Sequence, residues 1–336
     1  MKWLLWFASV QVATAQQPSL RGTVVSAETR EPLGLSIVTL HPNIGKRFTD
    51  PFGVFAFPDI PAGTYLLSVR QIGYAPLDTQ IVVRGDGATT ILAVLRHLAV
   101  ELPAITVFGH ATCTHPGPPD QEVTPALAAV FDQLIENARR LELLADSYPF
   151  RYRLERTLRE VNRRGDSLRA TIDTIELDRN ETRRRYRPGL VVSPGTGPFS
   201  GLTVVTLASL FELADSAFQQ NHCFRLAGRD TIEGESLVRI DFEPVERLDI
   251  SDLAGSAYLD SVTYGLRYTE TRLTRPQRSG LDIRALVART RFRDIAPGVP
   301  LQDYVRAVST LRLGPNASRV ETQRLLTVHF RRALPH

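Results

Sequence analysis

The stretch "TDPFGVFAFPDIPAGTYLLSVRQIGY", Thr49–Tyr74, decides the fold of the first part of the chain. In Asp50-Pro51-Phe52-Gly53 the proline stands second and the glycine last, which suits a type I turn. Val54–Phe57 then alternates, with Phe55 and Phe57 on one face. Asp59–Gly63 is a second reversal whose only large apolar residue, Ile60, is placed to plug the end of a core. The next run alternates again and turns Tyr65, Leu67 and Val69 inward. These six side chains are the expected core of a small β-domain. Outward from them, Leu20 to Val107 repeats short apolar runs broken every 8–12 residues or so by Gly, Pro, Asp or Asn, the rhythm of a sandwich. Arg21–Ala27 and Gly34–Pro42 read as its first two strands, and two more flank Gly85-Asp86-Gly87.

This segment resembles the carboxypeptidase regulatory-like domain, a transthyretin-like Greek-key β-sandwich. The resemblance is carried by Gly22-Thr23-Val24, Pro32-Leu33, Val38-Thr39-Leu40, Thr49-Asp50, Gly53–Phe57, Ile60–Tyr65 and Gly73-Tyr74. It implies a fold rather than an activity, because peptidases, transporters and adhesins alike carry such modules. Leu102–Gly109, "LPAITVFG", is similar to the segment that follows this module in TonB-dependent receptors. Too few residues follow for their barrel, so Ile105–Val107 is read as the module's last strand.

The chain opens "MKWLLWFASVQVATA": one lysine, a short apolar run, then Ala13-Thr14-Ala15. That is the layout of a secretory signal peptide over residues 1–15. No later apolar run has the roughly 20 residues a membrane span needs, so no transmembrane segment is expected in the mature chain. A net charge of +4 over 336 residues gives no case for nucleic acid. The domains expected are a sandwich at 20–108, a linker at 109–123 and an antiparallel-sheet domain at 124–336.

In that last domain Thr124-Pro125 signals a helix start, with a hydroxyl N-cap and proline at the first helical position. Leu127, Val130, Phe131, Leu134, Ala138, Leu141 and Ala145 share a face; Arg139, Arg140 and Glu142 point away; Pro149 ends the helix. A second helix is expected from Thr206, with Leu207, Leu210, Phe211, Ala214 and Phe218 as its stripe. Nearly everything else alternates in the manner of an antiparallel meander with one wet face. The overall class is therefore mainly β: a sandwich plus an α+β domain with a curved antiparallel sheet and two helices. Ile240–Pro244 and Leu253–Leu266 resemble a C-terminal part found in exported bacterial proteins that begin with the same module. The Gly255-x-x-Tyr258-Leu259-Asp260 pattern with Tyr264-x-Leu266 is also similar to the half-barrel of lipoprotein carriers.

Chemistry is harder to find. A zinc carboxypeptidase needs His-x-x-Glu, and none of the seven histidines has glutamate three residues on. No G-x-S-x-G and no phosphate-binding glycine loop occurs; Pro188–Gly201 is read as a loop beside a pocket. Acids such as Asp249 with Asp252, or Asp173 with Glu176 and Asp178, read as solvated cross-strand partners of arginine. No catalytic residue, metal or cofactor is expected. Cys113 and Cys223, an even count in an exported chain, point to a disulfide. Free thiols and a metal site with His115 and His222 are the alternatives, and the latter spacing matches no usual zinc pattern. The arginines Arg183, Arg184, Arg185 and Arg187 are the candidate anion-binding group. Arg151, Arg153, Arg156, Arg159, Arg163 and Arg164 either extend it or form a solvated face balanced by acids.

These features suggest an exported, non-enzymatic protein of the bacterial periplasm or outer-membrane periphery. Its sandwich would dock, and its second domain would bind an envelope protein or an apolar or anionic envelope ligand, lipid and lipoprotein included. An interaction accessory of an outer-membrane complex is the second reading, and a hydrolase the third.

Overall fold

The computed structural model describes residues 19–42, 44–85, 87–99, 112–162, 164–178, 186–195, 199–200, 203–312 and 318–332. The expected signal peptide and the "LPAITVFG" segment lie outside them, as does Asp86. The chain divides into two compact units. One holds the residues up to Gln71 with Ala75–Arg96, the other Ile72–Tyr74 with the residues from His97 onward.

Among the described residues the first unit has seven strands: β1 (Ser19–Ser26), β2 (Ile37–His41), β3 (Gly45–Phe48), β4 (Val54–Phe57), β5 (Gly63–Arg70), β6 (Leu77–Val83) and β7 (Ala88–Leu95). They form two sheets, of order β4-β1-β7 and β3-β2-β5-β6, with β1 parallel to β7 and the other neighbours antiparallel. The Asp50–Gly53 turn explains its own residues. Asp50 Oδ1 accepts from Phe52 N and Val54 N at 2.9 and 2.8 Å. Gly53 has φ +72°, and a Cβ there would stand 2.4 Å from Val24 O, so only glycine fits. Phe55, Phe57, Ile60, Tyr65, Leu67 and Val69 are all buried. Burial of each such side chain stabilises by about 1.5–3 kcal/mol. The Tyr65 hydroxyl still finds a partner, donating to Pro61 O at 2.8 Å. Strand β3 was not legible: "GKRF" has no apolar alternation, and it pairs with β2 by its backbone.

The second unit opens with helix α1 (Pro125–Ser147). The seven apolar residues assigned to one face are all buried. Two expectations need correction. Arg140 does not point away: it is fully buried, along with Gln133, Glu136 and Asn137. Helix α1 packs against several elements, so a polar face toward one neighbour is still inside. Burial pushes the Arg140 guanidinium down to about 10, against the nearby charges of Glu136 and Asp294. The Thr124 side chain does not cap the helix; its hydroxyl donates back to Asp120 O at 3.1 Å.

The strands that follow are β8 (Phe150–Val161), β9 (Ser167–Asp178), the short hairpin β10 (Val192–Pro194) and β11 (Thr203–Val205), and then β12 (His222–Ile232), β13 (Glu235–Pro244), β14 (Leu253–Asp260), β15 (Leu266–Leu273), β16 (Ile283–Ala296), β17 (Val299–Leu311) and β18 (Ser318–Phe330). Nine of them form one antiparallel sheet of order β12-β13-β14-β15-β16-β17-β18-β8-β9. Register shifts at Leu226/Gly228, Tyr258/Leu259, Arg291/Phe292 and Leu325/Thr327, among others, are β-bulges that bend it.

The second helical segment is two helices, α2 (Leu210–Ala214) and α3 (Ser216–Asn221), split where Asp215 adopts an extended conformation. The Asp215 carboxylate caps α3 by accepting from Ala217 N and Phe218 N. Nor does α2 begin at Thr206. Ala208 is held on the sheet instead: Thr271 Oγ1 accepts from Ala208 N, and Thr269 Oγ1 donates to Ala208 O at 2.8 Å. The other face of the sheet carries cross-strand ion pairs, including Arg289–Glu270 at 2.6 Å and Arg291–Asp303 at 2.7 Å. Such exposed pairs stabilise by about 0–1 kcal/mol each; their main effect is to keep that face wet.

Candidate functional site

At the start of β12 lies an enclosed polar group of the second unit. His222 is fully buried and its ring stacks on Phe218 of α3, with centroids 3.7 Å apart. Its Nδ1 faces Phe218 O at 2.8 Å and its Nε2 faces Leu253 O at 2.9 Å. Asp252, also fully buried, has Oδ1 3.9 Å from His222 Nε2. Asp252 accepts from the Tyr186 hydroxyl at 2.5 Å and from Leu253 N at 2.9 Å. Burial pushes the imidazole down and the carboxyl up, each toward its neutral form. The bonding pulls the other way. Two acceptors face the ring and two donors face the carboxyl, and an imidazolium–carboxylate pair satisfies all four. The Tyr186 hydroxyl is pushed up, by burial first and by the Asp252 bond second. All three side chains are thus occupied with one another and with the backbone.

Beside this group is a cavity of about 360 Å³ lined by Tyr186, Arg187, Leu190, Val191, Ser193, Thr206 and Glu212. Its walls come from the segment after Tyr186, which the Thr206 N to Val191 O bond of 2.8 Å closes, and from α2. Tyr186, Leu190 and Val191 give it an apolar side. Glu212 is buried, with its carboxyl against Ser209 N and Oγ in a capping box, and burial raises its pKa. Arg187 is exposed and also lines the cavity, so a cation stands beside an apolar wall.

The sequence marked Arg187 and the segment Pro188–Gly201; Arg187, Leu190, Val191 and Ser193 line the cavity, but Val192–Pro194 is strand β10 rather than loop. It missed Tyr186, Asp252, His222 and Glu212 as a neighbourhood. Ser209-Leu210-Phe211-Glu212 was a readable signal, being the S-x-x-E pattern of a capping box. Arg163, Arg183, Arg184 and Arg185 lie outside the described residues. The β8 arginines do not form one cationic face, because the period of two puts Arg151 and Arg156 on opposite sides of the sheet. Arg151 pairs with Glu176 and Asp178, and Arg156 with Glu321. Asp249 and Asp252 are not a pair either: Asp249 sits exposed against Arg278, while Asp252 is buried. Cys113 and Cys223 form a disulfide with Cα atoms 5.5 Å apart, which removes the metal alternative for them. Among the described residues no three His, Cys, Asp or Glu side chains gather as metal ligands. Among them, too, no helix is long and apolar enough to cross a membrane.

Comparison with known proteins bears on the first unit most directly. Residues 19–96 match the carboxypeptidase regulatory-like domain. That regulatory-like domain is the sandwich described above, and it covers less than a quarter of the chain. No curated protein matches the chain. Among solved structures, the minor pilin GBS52 of Streptococcus agalactiae is similar at 16% identity and TM-score 0.23. The match covers 29% of this chain and 49% of the pilin, so the chain spans about half of that protein's length. The LolA superfamily protein NE2245 of Nitrosomonas europaea is similar at 10% identity and TM-score 0.29, over 60% of this chain and 94% of that one. A putative outer membrane lipoprotein-sorting protein domain of Vibrio parahaemolyticus is similar at 9% identity and TM-score 0.33, over 61% and 94%. At such scores no ligand or partner passes from these proteins to this chain.

Proposed function

We propose that the protein works by binding rather than catalysis, in the envelope of a bacterium. The regulatory-like domain docks, and the second unit takes up an amphiphilic envelope ligand, a lipid or the acyl part of a lipoprotein. The observation that carries this reading is the cavity wall. Tyr186, Leu190 and Val191 offer apolar contact, and Arg187 stands beside them with a guanidinium suited to a phosphate or carboxylate head. About 360 Å³ is at the lower end of ligand-pocket volumes and would take one chain or part of one. The neighbouring titratable groups support binding over chemistry, since Tyr186, Asp252 and His222 already have their partners. The leader-like first 15 residues and the disulfide both fit export into an oxidising compartment.

The test is displacement of a fluorescent anionic amphiphile, anilinonaphthalene sulfonate, by fatty acid or lysophospholipid. The full-length mature protein should bind the probe, and Thr206→Trp, which fills the cavity, should abolish binding. Leu190→Asp at the exposed rim should weaken it roughly tenfold, equivalent to about 1.4 kcal/mol. Equal probe binding by all three proteins would sink the proposal.

A further inference from the structure

Glu212 lines the cavity with half of its carboxyl uncommitted. The residue is 8% exposed, and Ser209 N, at 3.0 Å, and Ser209 Oγ both donate to the same oxygen, Oε2. Beyond Ser209 and its own backbone N–H, no described residue donates to this carboxyl. Asp215 lies near enough for its charge to oppose that of Glu212, and its Oδ1 is taken up by Ala217 N and Phe218 N. Neither carboxyl has an ion-pair partner among the described residues. Arg187, which lines the same cavity, has none either. Its guanidinium and the Glu212 carboxyl therefore stand more than 4.0 Å apart and do not neutralise each other. An unpaired cation and an unpaired carboxyl on one cavity suit a ligand that carries both signs.

We propose that the amphiphile this cavity takes up has a phosphoethanolamine head, its phosphate on Arg187 and its primary ammonium on Glu212. This rests on the amphiphile-binding reading above and names the headgroup. A buried carboxylate is costly unless it is paired and hydrogen-bonded. A primary ammonium supplies both, because it brings a positive charge and three N–H donors. The quaternary ammonium of a choline head brings the charge but no N–H, so the free Glu212 oxygen stays without a donor. A glycerol head brings no cation at all. Its phosphate would satisfy Arg187 and leave Glu212 and Asp215 beside another negative charge, which selects against it. The carboxyls thus discriminate among heads, while the phosphate contact to Arg187 is common to all of them.

Lysophospholipids of one acyl length, with ethanolamine, choline and glycerol heads, are compared as displacers of anilinonaphthalene sulfonate from the full-length mature protein. The ethanolamine lipid should displace at about tenfold lower concentration than either of the others, as one charge-assisted hydrogen bond allows. Glu212→Gln should bring the three within about twofold of one another. Glutamine also closes a capping box, so the cavity wall stays formed in that variant. Arg187→Gln should weaken all three and keep their order. Free phosphoethanolamine, lacking the acyl chain, should displace poorly. Equal displacement by the three heads would overturn the headgroup assignment and leave amphiphile binding standing. A preference that survives Glu212→Gln would do the same. No displacement by any lysolipid would overturn both readings. Free phosphoethanolamine as strong as its lysolipid would support the headgroup contacts and remove the acyl part.

Discussion

At the scale of single residues, the second unit turns on Tyr186, Asp252 and His222. Removing the Tyr186 hydroxyl leaves a buried carboxyl oxygen without its donor, while the ring still packs edge-on against Phe218 at 5.0 Å. Tyr186→Phe should therefore cost about 1–3 kcal/mol in chemical denaturation. A loss within a few tenths would mean the bond contributes nothing net. None of the three residues was legible in the sequence as a group, because they come from positions 186, 222 and 252, and only the fold brings them together. The sandwich core was legible, since a period of two within a few residues of a turn needs no long-range information. Arg140 shows the reverse problem: helical periodicity measures one face, and α1 is enclosed on more than one.

Among the elements, strands with clear alternation were found nearly to the residue; β14 and β15 are examples. What escaped detection lacked a side-chain signal or carried a local override. Strand β3 is held by backbone pairing, and the Asp215 cap splits one apolar stripe into two helices. The segment at Cys113 is tied to β12 across a sequence separation of 110. Reduction, or Cys113→Ser with Cys223→Ser, should lower stability by about 4–5 kcal/mol on the loop-entropy account. Urea titration with and without reductant reads this directly, and superimposable curves would refute it.

For the whole molecule, acid sensitivity follows from carboxylates held below their usual range. In Asp241 burial pushes the pKa up, but bonds from Ser256, Arg225 and Arg239 outweigh it. In Asp78 the Arg70 bond leads, with Ser68 adding to it. A depressed folded pKa gives stability that is present above the unfolded carboxylate value of about 3.9 and lost as pH falls through the folded value. Asp241→Asn should thus be less stable than wild type by about 1–3 kcal/mol at neutral pH, and the two should converge in strong acid. A gap independent of pH would assign the loss to packing. Native mass spectrometry of the mature protein recovered from a bacterial envelope reads out whether the cavity holds an amphiphile. The expected result is an adduct of lipid mass that is extracted by organic solvent and missing from Thr206→Trp. A bare protein mass in both, with no adduct after incubation with fatty acid or lysophospholipid, would contradict it.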